Sequence, residues 1–210
     1  MVDFNTCRRT EAGNIVTPKA KLSYPYLLAT NPNSKTKDGK EKYTVSILIP
    51  AGADISMLKK AAGECGIEEF GEEKIKTLME LKQFNTPFLD AFAKSRSEKN
   101  PSGDEWMKGW TLIRATSMQK PGIVDASANN VDDSSEVYPG RWACVSLRPF
   151  AYPARTGGNA GVSFGLQNVQ LLDHDTPLAG SAVRAEDEFA PVGDAAAPPA
   201  EGASADSVFG

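Results

Sequence analysis

Five stretches of strand-like sequence constrain the fold of this chain more than any other feature. They lie at residues 19–28, 43–50, 110–116, 141–152 and 161–172. In the second stretch, Tyr43, Val45 and Ile47 alternate with Thr44 and Ser46, which is the pattern of a strand with one buried face. The strands outnumber the helices and do not alternate with them regularly, which disfavours a parallel Rossmann-type sheet. The sequence therefore predicts a mainly β fold, either a small antiparallel barrel or a sandwich.

A short helical block interrupts these strands. Asp54 is placed to cap a helix that runs to about Cys65 and stops at Gly66, and a second helix is expected from Glu72 to about Phe84. Each segment carries apolar residues at helical spacing along one side. Both helices are therefore predicted to cover the sheet.

The C-terminal stretch differs in composition from the rest of the chain. Residues 185–210 carry six carboxylates and no Lys or Arg, among Ala, Gly, Ser and Pro. Such a composition buries too little apolar area to offset the entropy of ordering the chain, so we expect a solvated, disordered tail. The whole chain has a formal net charge of −4, so without those six carboxylates residues 1–184 have a net charge of +2. A basic body with an acidic tail indicates a polyanionic partner for which the tail can compete.

This division predicts one folded domain, residues 1–184, followed by the flexible tail, residues 185–210. Near the end of the tail, Asp206, Val208 and Phe209 combine a charge with apolar side chains. We expect these three residues to dock a partner protein. The alternative is a tail that only improves solubility.

The most basic stretch of the chain joins the first two predicted strands. It spans Thr30–Lys42 and combines turn-forming residues with four lysines, Lys35, Lys37, Lys40 and Lys42. In OB folds the corresponding loop contacts oligonucleotides. We predict that these lysines, together with Lys21 in the preceding strand, contact nucleic acid. A run of solvated lysines without a partner is the alternative.

The strand predicted at residues 141–152 combines aromatic rings and cations on one face. Alternation turns Ala143, Val145 and Leu147 toward the core and leaves on the other side Trp142, Cys144, Ser146, Arg148, Phe150 and Tyr152. Rings that stack on bases and cations that pair with phosphates are typical of a groove for single-stranded nucleic acid, and Arg141 and Arg155 bracket this one. The alternative is that the rings fill a second small core while Arg148 extends to solvent. The flexible segment 156–159 then joins this strand to the last one as a hairpin.

Catalytic and metal-binding motifs find little support in the sequence. The single histidine, His174, has no Ser or Cys motif beside it that could supply a nucleophile. Asp132, Asp133 and Glu136 crowd one stretch, whereas magnesium sites usually draw carboxylates from separate rigid elements, so a solvated turn is favoured there. No phosphate-binding or dinucleotide-binding glycine motif follows a strand. The sequence thus predicts neither an enzyme nor a cofactor.

The sequence also bears on compartment. Its three cysteines, Cys7, Cys65 and Cys144, are widely spaced and are expected to be reduced cytoplasmic thiols rather than a disulfide framework or zinc ligands. No stretch is apolar enough to span a membrane, and the N-terminus is polar. We therefore expect a cytoplasmic protein.

Four segments carry a resemblance to a known family: Lys19-Ala-Lys-Leu-Ser-Tyr24, Lys42-Tyr-Thr-Val-Ser-Ile-Leu-Ile-Pro50, Val137-Tyr-Pro-Gly140 and Gly161-Val-Ser-Phe-Gly-Leu-Gln-Asn-Val-Gln170. Their order, followed by an acidic tail, resembles phage single-stranded DNA-binding proteins. The resemblance implies an OB fold and a sequence-tolerant protein that protects unpaired strands in phage replication and recombination. In similar proteins the tail commonly ends on Phe, whereas here Gly210 follows Phe209.

Pattern and resemblance together predict an OB-fold-like antiparallel barrel with helical insertions that binds single-stranded DNA. The expected partners are single-stranded DNA and, through the tail, replication proteins such as a polymerase or a helicase, in the cytoplasm of a bacterial host. A homo-oligomer is left open. The alternative is a β-sandwich that serves as a structural or assembly protein of a virion.

Overall fold

The computed structural model describes residues 3–98, 100–154 and 158–178. The strands of this part are β1 (Arg8–Arg9), β2 (Ile15–Val16), β3 (Ala20–Lys35), β4 (Glu41–Ile49), β5 (Phe84–Asn85), β6 (Leu89–Asp90), β7 (Thr111–Ser117), β8 (Gly122–Val124), β9 (Trp142–Tyr152) and β10 (Ala160–Leu171). Its α-helices are α1 (Ser56–Phe70), α2 (Glu72–Glu80) and α3 (Ala91–Ser95). The prediction of a mainly β fold is confirmed.

Five of these strands close into a ring. β3 pairs with β4, β4 with β7, β10 with β9 and β9 with β3, all antiparallel, while β7 and β10 pair in parallel. A sheet that closes on itself has no free edge, which removes the unpaired N–H and C=O groups of an open sheet. The result is a five-stranded barrel of the OB type.

The interior of the barrel is apolar and closely packed. Alternate residues of each strand point inward, among them Leu22 of β3, Ile47 of β4, Ile113 of β7, Leu147 of β9 and Phe164 of β10, which are all fully buried. Burying one such side chain stabilises the fold by roughly 1.5–3 kcal/mol relative to leaving it exposed. This core fixes which side chain of each strand faces outward.

Helix α1 covers part of the barrel but does not end where the sequence predicted. Gly66 lies inside the helix, and a Cβ built there would sit 3.2 Å from Val162 Cγ2 of β10 and 3.3 Å from Ile75 Cδ1 of α2. The glycine is therefore needed for close approach rather than as a stop. The helix ends instead at Phe70, before Gly71 with φ +79°. Asp54 accepts a hydrogen bond from Ser56 N, the first helical residue, at 2.8 Å.

The hairpin of β3 and β4 is longer than the sequence predicted. Residues Thr30–Lys35 belong to β3, so the basic stretch is mostly strand, and the turn itself spans only residues 36–40. Thr36 N donates to Lys40 O at 2.8 Å, and Gly39 supplies the positive φ, +77°, that the turn requires. The first two strands of the barrel thus extend beyond the core as a two-stranded arm.

The N-terminal segment covers the middle of β9, which the sequence did not predict. β2 pairs with β9 at Ser146 and Leu147. Cys144 is 1% exposed, and burial raises the pKa of its thiol although the nearby Arg8 opposes the shift. Arg8 also donates to Gln170 of β10, the neighbour of Cys144 across the strands. Two of the outward residues of β9, Cys144 and Ser146, are therefore buried, and the expected continuous face from Trp142 to Tyr152 is interrupted.

A second, smaller apolar cluster lies on the outside of the barrel. Leu48 of β4 and Leu112 of β7 face outward and are buried by the segment that includes Ala91 and Trp110. Leu178, after β10, packs against the same cluster. This cluster covers one end of the outer surface, and no other described segment covers the opposite end.

Candidate nucleic-acid interface

The uncovered outer surface of the barrel forms a polar face that we call the open face. Strand register sets its rows: Ser23 lies opposite Ser46, which lies opposite Arg114, and Tyr26 lies opposite Thr44, which lies opposite Thr116. β10 and β9 continue both rows. Ser163 and Phe150 continue the row of Ser23, and Gly165 and Arg148 continue the row of Tyr26. The open face therefore consists of Ser23, Tyr26, Thr44, Ser46, Arg114, Thr116, Ser163, Gly165, Arg148 and Phe150.

Two aromatic rings lie at the β9 side of the open face. Phe150 is 42% exposed, and its ring centroid is 6.4 Å from that of Tyr152, with the planes at 51°. A Cβ built on Gly165 would lie 4.0 Å from Phe150 Cδ1, so the glycine keeps the surface beside the ring low. The alternative, in which Trp142, Phe150 and Tyr152 fill a second small core, does not hold for Phe150, because no apolar cluster of the described residues covers its ring.

A cleft of about 480 Å³ continues the open face beside Tyr152. Its lining is Phe84, Asn85, Thr86, Pro87, Leu89, Lys94, Arg114, Tyr152, Val162 and Ser163. Apolar side chains form part of the wall, and two cations, Lys94 and Arg114, stand at it. A cleft of this chemistry accepts a flat apolar group attached to an anion.

The cations of this region are exposed, and no carboxylate in the described part of the chain lies beside them. Arg114 and Arg148 point outward from β7 and β9, and Lys94 lies on α3. Among the described residues, no Asp or Glu lies within 4.0 Å of the charged atoms of these three side chains. Their charge is therefore available to an anionic ligand.

All three tryptophans of the chain lie together at the other end of the outer surface. The ring centroids of Trp106 and Trp110 are 5.1 Å apart, and those of Trp110 and Trp142 are 6.3 Å apart. Lys19 Nζ lies 5.0 Å from the centroid of Trp142, and Lys21 Nζ lies 5.2 Å from it. We call these five residues the tryptophan patch.

The residues that follow β10 run across this patch. We call Asp173–Leu178 the strap. Asp175 Oδ2 accepts from the indole N–H of Trp142 at 2.7 Å and pairs with Lys21 Nζ at 3.0 Å, and Asp173 pairs with Lys19. The Lys21 ammonium holds the pKa of the Asp175 carboxyl below its usual range, and Lys19 does the same for the pKa of Asp173. The cations of the tryptophan patch are thus neutralised, unlike those of the open face.

A model of the family described as "Enterobacter phage Enc34, ssDNA-binding protein" matches residues 13–199. The chain belongs to this family. The match includes every strand of the barrel, both groups of aromatic residues and the strap. Among curated proteins, no match was found.

Solved structures with the same fold include proteins from two phages. The single-stranded DNA-binding protein from bacteriophage Enc34 matches with a TM-score of 0.56 and 18% identity over 90% of this chain and 95% of that chain. The same phage protein in complex with ssDNA matches with a TM-score of 0.54 and 18% identity over 85% and 96%. The single-stranded DNA-binding protein gp2.5 of bacteriophage T7 matches with a TM-score of 0.54 and 14% identity over 80% and 96%. At these identities the likeness shows a shared fold.

Arg141, a predicted DNA contact, has a structural position in this family member. It is 5% exposed, and its guanidinium pairs with Glu136 Oε2 at 3.1 Å, donates to Leu172 O at 2.9 Å and contacts the ring of His174. These contacts fasten β9 to the segment after β10. The expectation of an exposed cation here is corrected, because the arginine is enclosed by its protein partners.

The remaining predicted contacts divide into separate groups. Arg148, Phe150 and Tyr152 lie together at the open face, whereas Lys21 and Trp142 lie under the strap. Lys37 and Lys40 are exposed in the turn of the arm, Lys42 follows on the outward side of β4, and Lys35 pairs with Glu41 at 3.8 Å. Arg155 and the tail residues Asp206, Val208 and Phe209 lie outside the described residues.

Sequence reasoning missed Arg114, Lys94 and the two other tryptophans. Arg114 is separated by about 30 residues from β9 and reaches the face through the pairing of β7 with β4 and β10. The outward alternation of residues 111–117 was the signal that could have identified it. Trp106 and Trp110 lie in an irregular segment whose position no local pattern specifies.

The acidic group considered for magnesium is divided among different contacts. Asp133 accepts from Ser135 N at 2.8 Å, Asp132 accepts from Asn130 Nδ2 at 2.9 Å, and Glu136 pairs with Arg141. In the described part of the chain, no three His, Cys, Asp or Glu side chains are grouped so that they could hold a metal ion. No helix of that part has the length and apolar content needed to cross a bilayer.

Proposed function

We propose that this chain is a single-stranded DNA-binding protein that coats and protects unpaired strands without base preference during phage DNA replication and recombination, with no enzymatic step. The observation that carries the proposal is the open face, where Arg114 and Arg148, which pair with no carboxylate of the described residues, stand beside the exposed ring of Phe150. Membership of the Enc34 family supports it, since the model is described as one of ssDNA-binding proteins.

The chemistry of the open face suits an unpaired strand. Phe150 and Tyr152 offer ring faces on which bases stack, and each stacked base contributes ~1–3 kcal/mol to binding. Arg114, Arg148 and Lys94 pair with phosphates. A duplex hides the faces of its bases, so this arrangement favours single strands.

The same residues account for tolerance of sequence. Every base has a π-face, and every nucleotide has a phosphate, so neither contact depends on base identity. The open face is lined mainly by hydroxyl side chains between the cations and the rings. These hydroxyls can donate hydrogen bonds to phosphate oxygens. They do not provide the paired donors and acceptors with which a bidentate side chain reads a base edge.

The arm formed by β3 and β4 extends the basic surface. Lys37, Lys40 and Lys42 lie along it beyond the Thr44 row of the open face. We propose that these lysines contact further phosphates of the same strand, each adding about −0.7 to the slope of log affinity against log salt.

The acidic tail has two proposed roles. Residues 185–210 compete with DNA for the basic surface, and Asp206, Val208 and Phe209 dock replication proteins such as a polymerase or a helicase. Three further points belong to the same proposal. The domain spans residues 1–184 and is followed by the tail. The protein acts in the host cytoplasm, and it forms homo-oligomers.

Fluorescence anisotropy of a labelled oligo-dT, titrated at several salt concentrations, tests the function. We expect tight binding to the single strand and much weaker binding to a duplex of equal length. Phe150→Ala should weaken binding by the stacking contribution of one base, ~1–3 kcal/mol, at all salt concentrations. Phe4→Ala is the matched control, because Phe4 is 40% exposed and Phe150 is 42% exposed, but Phe4 lies in the N-terminal segment.

Equal affinity for single-stranded and duplex DNA would contradict strand selectivity. If Phe150→Ala and Phe4→Ala change the affinity for oligo-dT equally, the open face is not part of the binding site. A sizing column run with and without the oligonucleotide addresses the virion alternative, which requires large particles that ignore DNA.

A further inference from the structure

The tryptophan patch has the same chemistry as the open face but is held in a closed state. It combines three indole rings with two lysines, and Trp106 is 42% exposed. Lys21 Nζ lies 5.5 Å from the centroid of the Trp106 ring as well as over Trp142. Exposed rings beside ammonium groups are the components of a surface for an unpaired strand.

The carboxylates of the strap lie where phosphates would lie in such a surface. Asp175 contacts Lys21 Nζ at 3.0 Å and the Trp142 indole N–H at 2.7 Å, and Asp173 pairs with Lys19. A phosphate oxygen is likewise an anionic acceptor for an ammonium and an indole N–H. The strap therefore supplies both lysines with ion-pair partners from the protein itself.

The anchoring of the strap is separate from these carboxylates. Leu178 N donates to Pro139 O at 3.0 Å, and its side chain packs against the outer apolar cluster. Tyr138 Oη donates to Asp175 O at 3.2 Å. The Asp173 side chain is 70% exposed, so it can turn into solvent while the backbone of the strap stays in place. At Asp173, exchange of the carboxylate for a phosphate requires only a change of side-chain rotamer, whereas at Asp175 it also breaks the 2.7 Å hydrogen bond from Thr176 N.

The patch is continuous with the open face. Lys21 and Ser23 are two residues apart on the outward side of β3, so their side chains are separated by about 7 Å along the strand. From Ser23 the row across β4, β7 and β10 reaches Phe150 after four strand spacings, about 19 Å. A single-stranded DNA that crosses the open face from Phe150 thus arrives beside Lys21.

We infer that the tryptophan patch is a second contact site for the same unpaired DNA strand, at which phosphates replace Asp173 and Asp175 on Lys19 and Lys21 and a base stacks on Trp106. This inference rests on the proposed function and extends it. A short strand occupies the open face alone, and a longer strand also displaces the two carboxylates.

The experiment uses two readouts on the full chain. Anisotropy of a labelled oligo-dT reports binding anywhere, while quenching of tryptophan emission reports contact at the patch, because all three tryptophans of the chain lie there. The oligonucleotides have about 6 and about 24 nucleotides, toward the lower end and beyond the upper end of the ~4–16 that one OB fold covers. DNA is kept in excess, so that each strand carries one protein molecule.

The test variant is Asp173→Asn with Asp175→Asn. The amide at position 175 keeps an oxygen that can accept from Trp142, and both amides lose the charge that neutralises a lysine. The matched control is Glu72→Gln with Glu73→Gln, which removes the same charge and frees Lys76 on α2. Quenching is measured relative to the emission of each free protein.

We expect the long oligonucleotide, but not the short one, to quench the wild type, and both to quench the double Asn variant. That variant should bind the long strand about tenfold more tightly, because the strand no longer has to break two ion pairs on Lys19 and Lys21, with a salt slope steeper by about 1.4 for two phosphates. Binding by anisotropy without quenching in either protein overturns the inference and leaves the proposed function intact. Equal quenching and affinity in both proteins, or the same gain in the Gln control, overturns the competition. Absence of binding by anisotropy defeats the proposed function itself.

Discussion

Arg114 is the cation with the most central position on the open face. It lies between Ser46 of β4 and Ser163 of β10 and lines the cleft with Tyr152 and Lys94. Arg114 is exposed and forms no ion pair with any residue that the structure describes. Its position is therefore better explained by an external anion than by stability.

Arg114→Ala should weaken binding to oligo-dT and reduce the magnitude of its salt slope by about 0.7, because one phosphate contact is lost. Arg9→Ala is the matched control, since Arg9 is an exposed arginine on β1, outside the open face. Anisotropy titrations at three or more salt concentrations give both slopes. A slope unchanged by Arg114→Ala, or reduced equally by both variants, would argue against the contact.

Substitutions at two glycines of α1 distinguish the effect of packing on stability from the effect of helix propensity. A Cβ at Gly66 meets Val162 and Ile75, whereas a Cβ at Gly63 meets nothing within 4 Å. Gly66→Leu should therefore destabilise the protein by about 1–3 kcal/mol through overpacking. Gly63→Ala should stabilise it by up to about 1 kcal/mol, because alanine favours the helix.

Urea unfolding followed by circular dichroism measures both free energies. Equal stability of the wild type and Gly66→Leu would mean that α1 does not pack closely on β10 at this position. A loss of stability in Gly63→Ala would contradict the open surroundings of that residue.

At the scale of elements, the side chains of the single strand β9 lie in three different environments. Its inward residues fill the core, Cys144 and Ser146 lie under the N-terminal segment, and Phe150 is exposed. Alternation predicted the inward residues correctly. It could not predict the contact of Arg8 with Cys144, because the two residues lie far apart in the sequence. The aromatic residues of β9 are consequently divided between the open face and the tryptophan patch.

The whole molecule separates its charge between body and tail. Removal of residues 185–210 changes the formal net charge from −4 to +2. The truncated chain, residues 1–184, should bind oligo-dT more tightly than the full chain, most strongly at low salt, because a competing polyanion is absent. It should also lose capture of replication proteins from a phage-infected lysate.

Anisotropy and pull-down of the two chains at matched concentrations check this prediction. A chain in which the six tail carboxylates are changed to amides is the control for length. If that control binds DNA like the full chain, charge is not the cause of the competition. Unchanged affinity and unchanged capture after truncation would contradict both roles of the tail.

The mainly β class, the positions of the five barrel strands, the charge of the tail and the exposed lysines of the arm follow from the sequence, since alternation and composition are local properties of the chain. The surroundings of each outward side chain depend on elements distant in sequence. Tertiary structure placed Arg114 beside Ser163, buried Arg141 against Glu136 and Leu172, and laid the strap over Trp142. A period of two tells which residues share a side of a strand, and only the closure of the barrel decides what lies over that side.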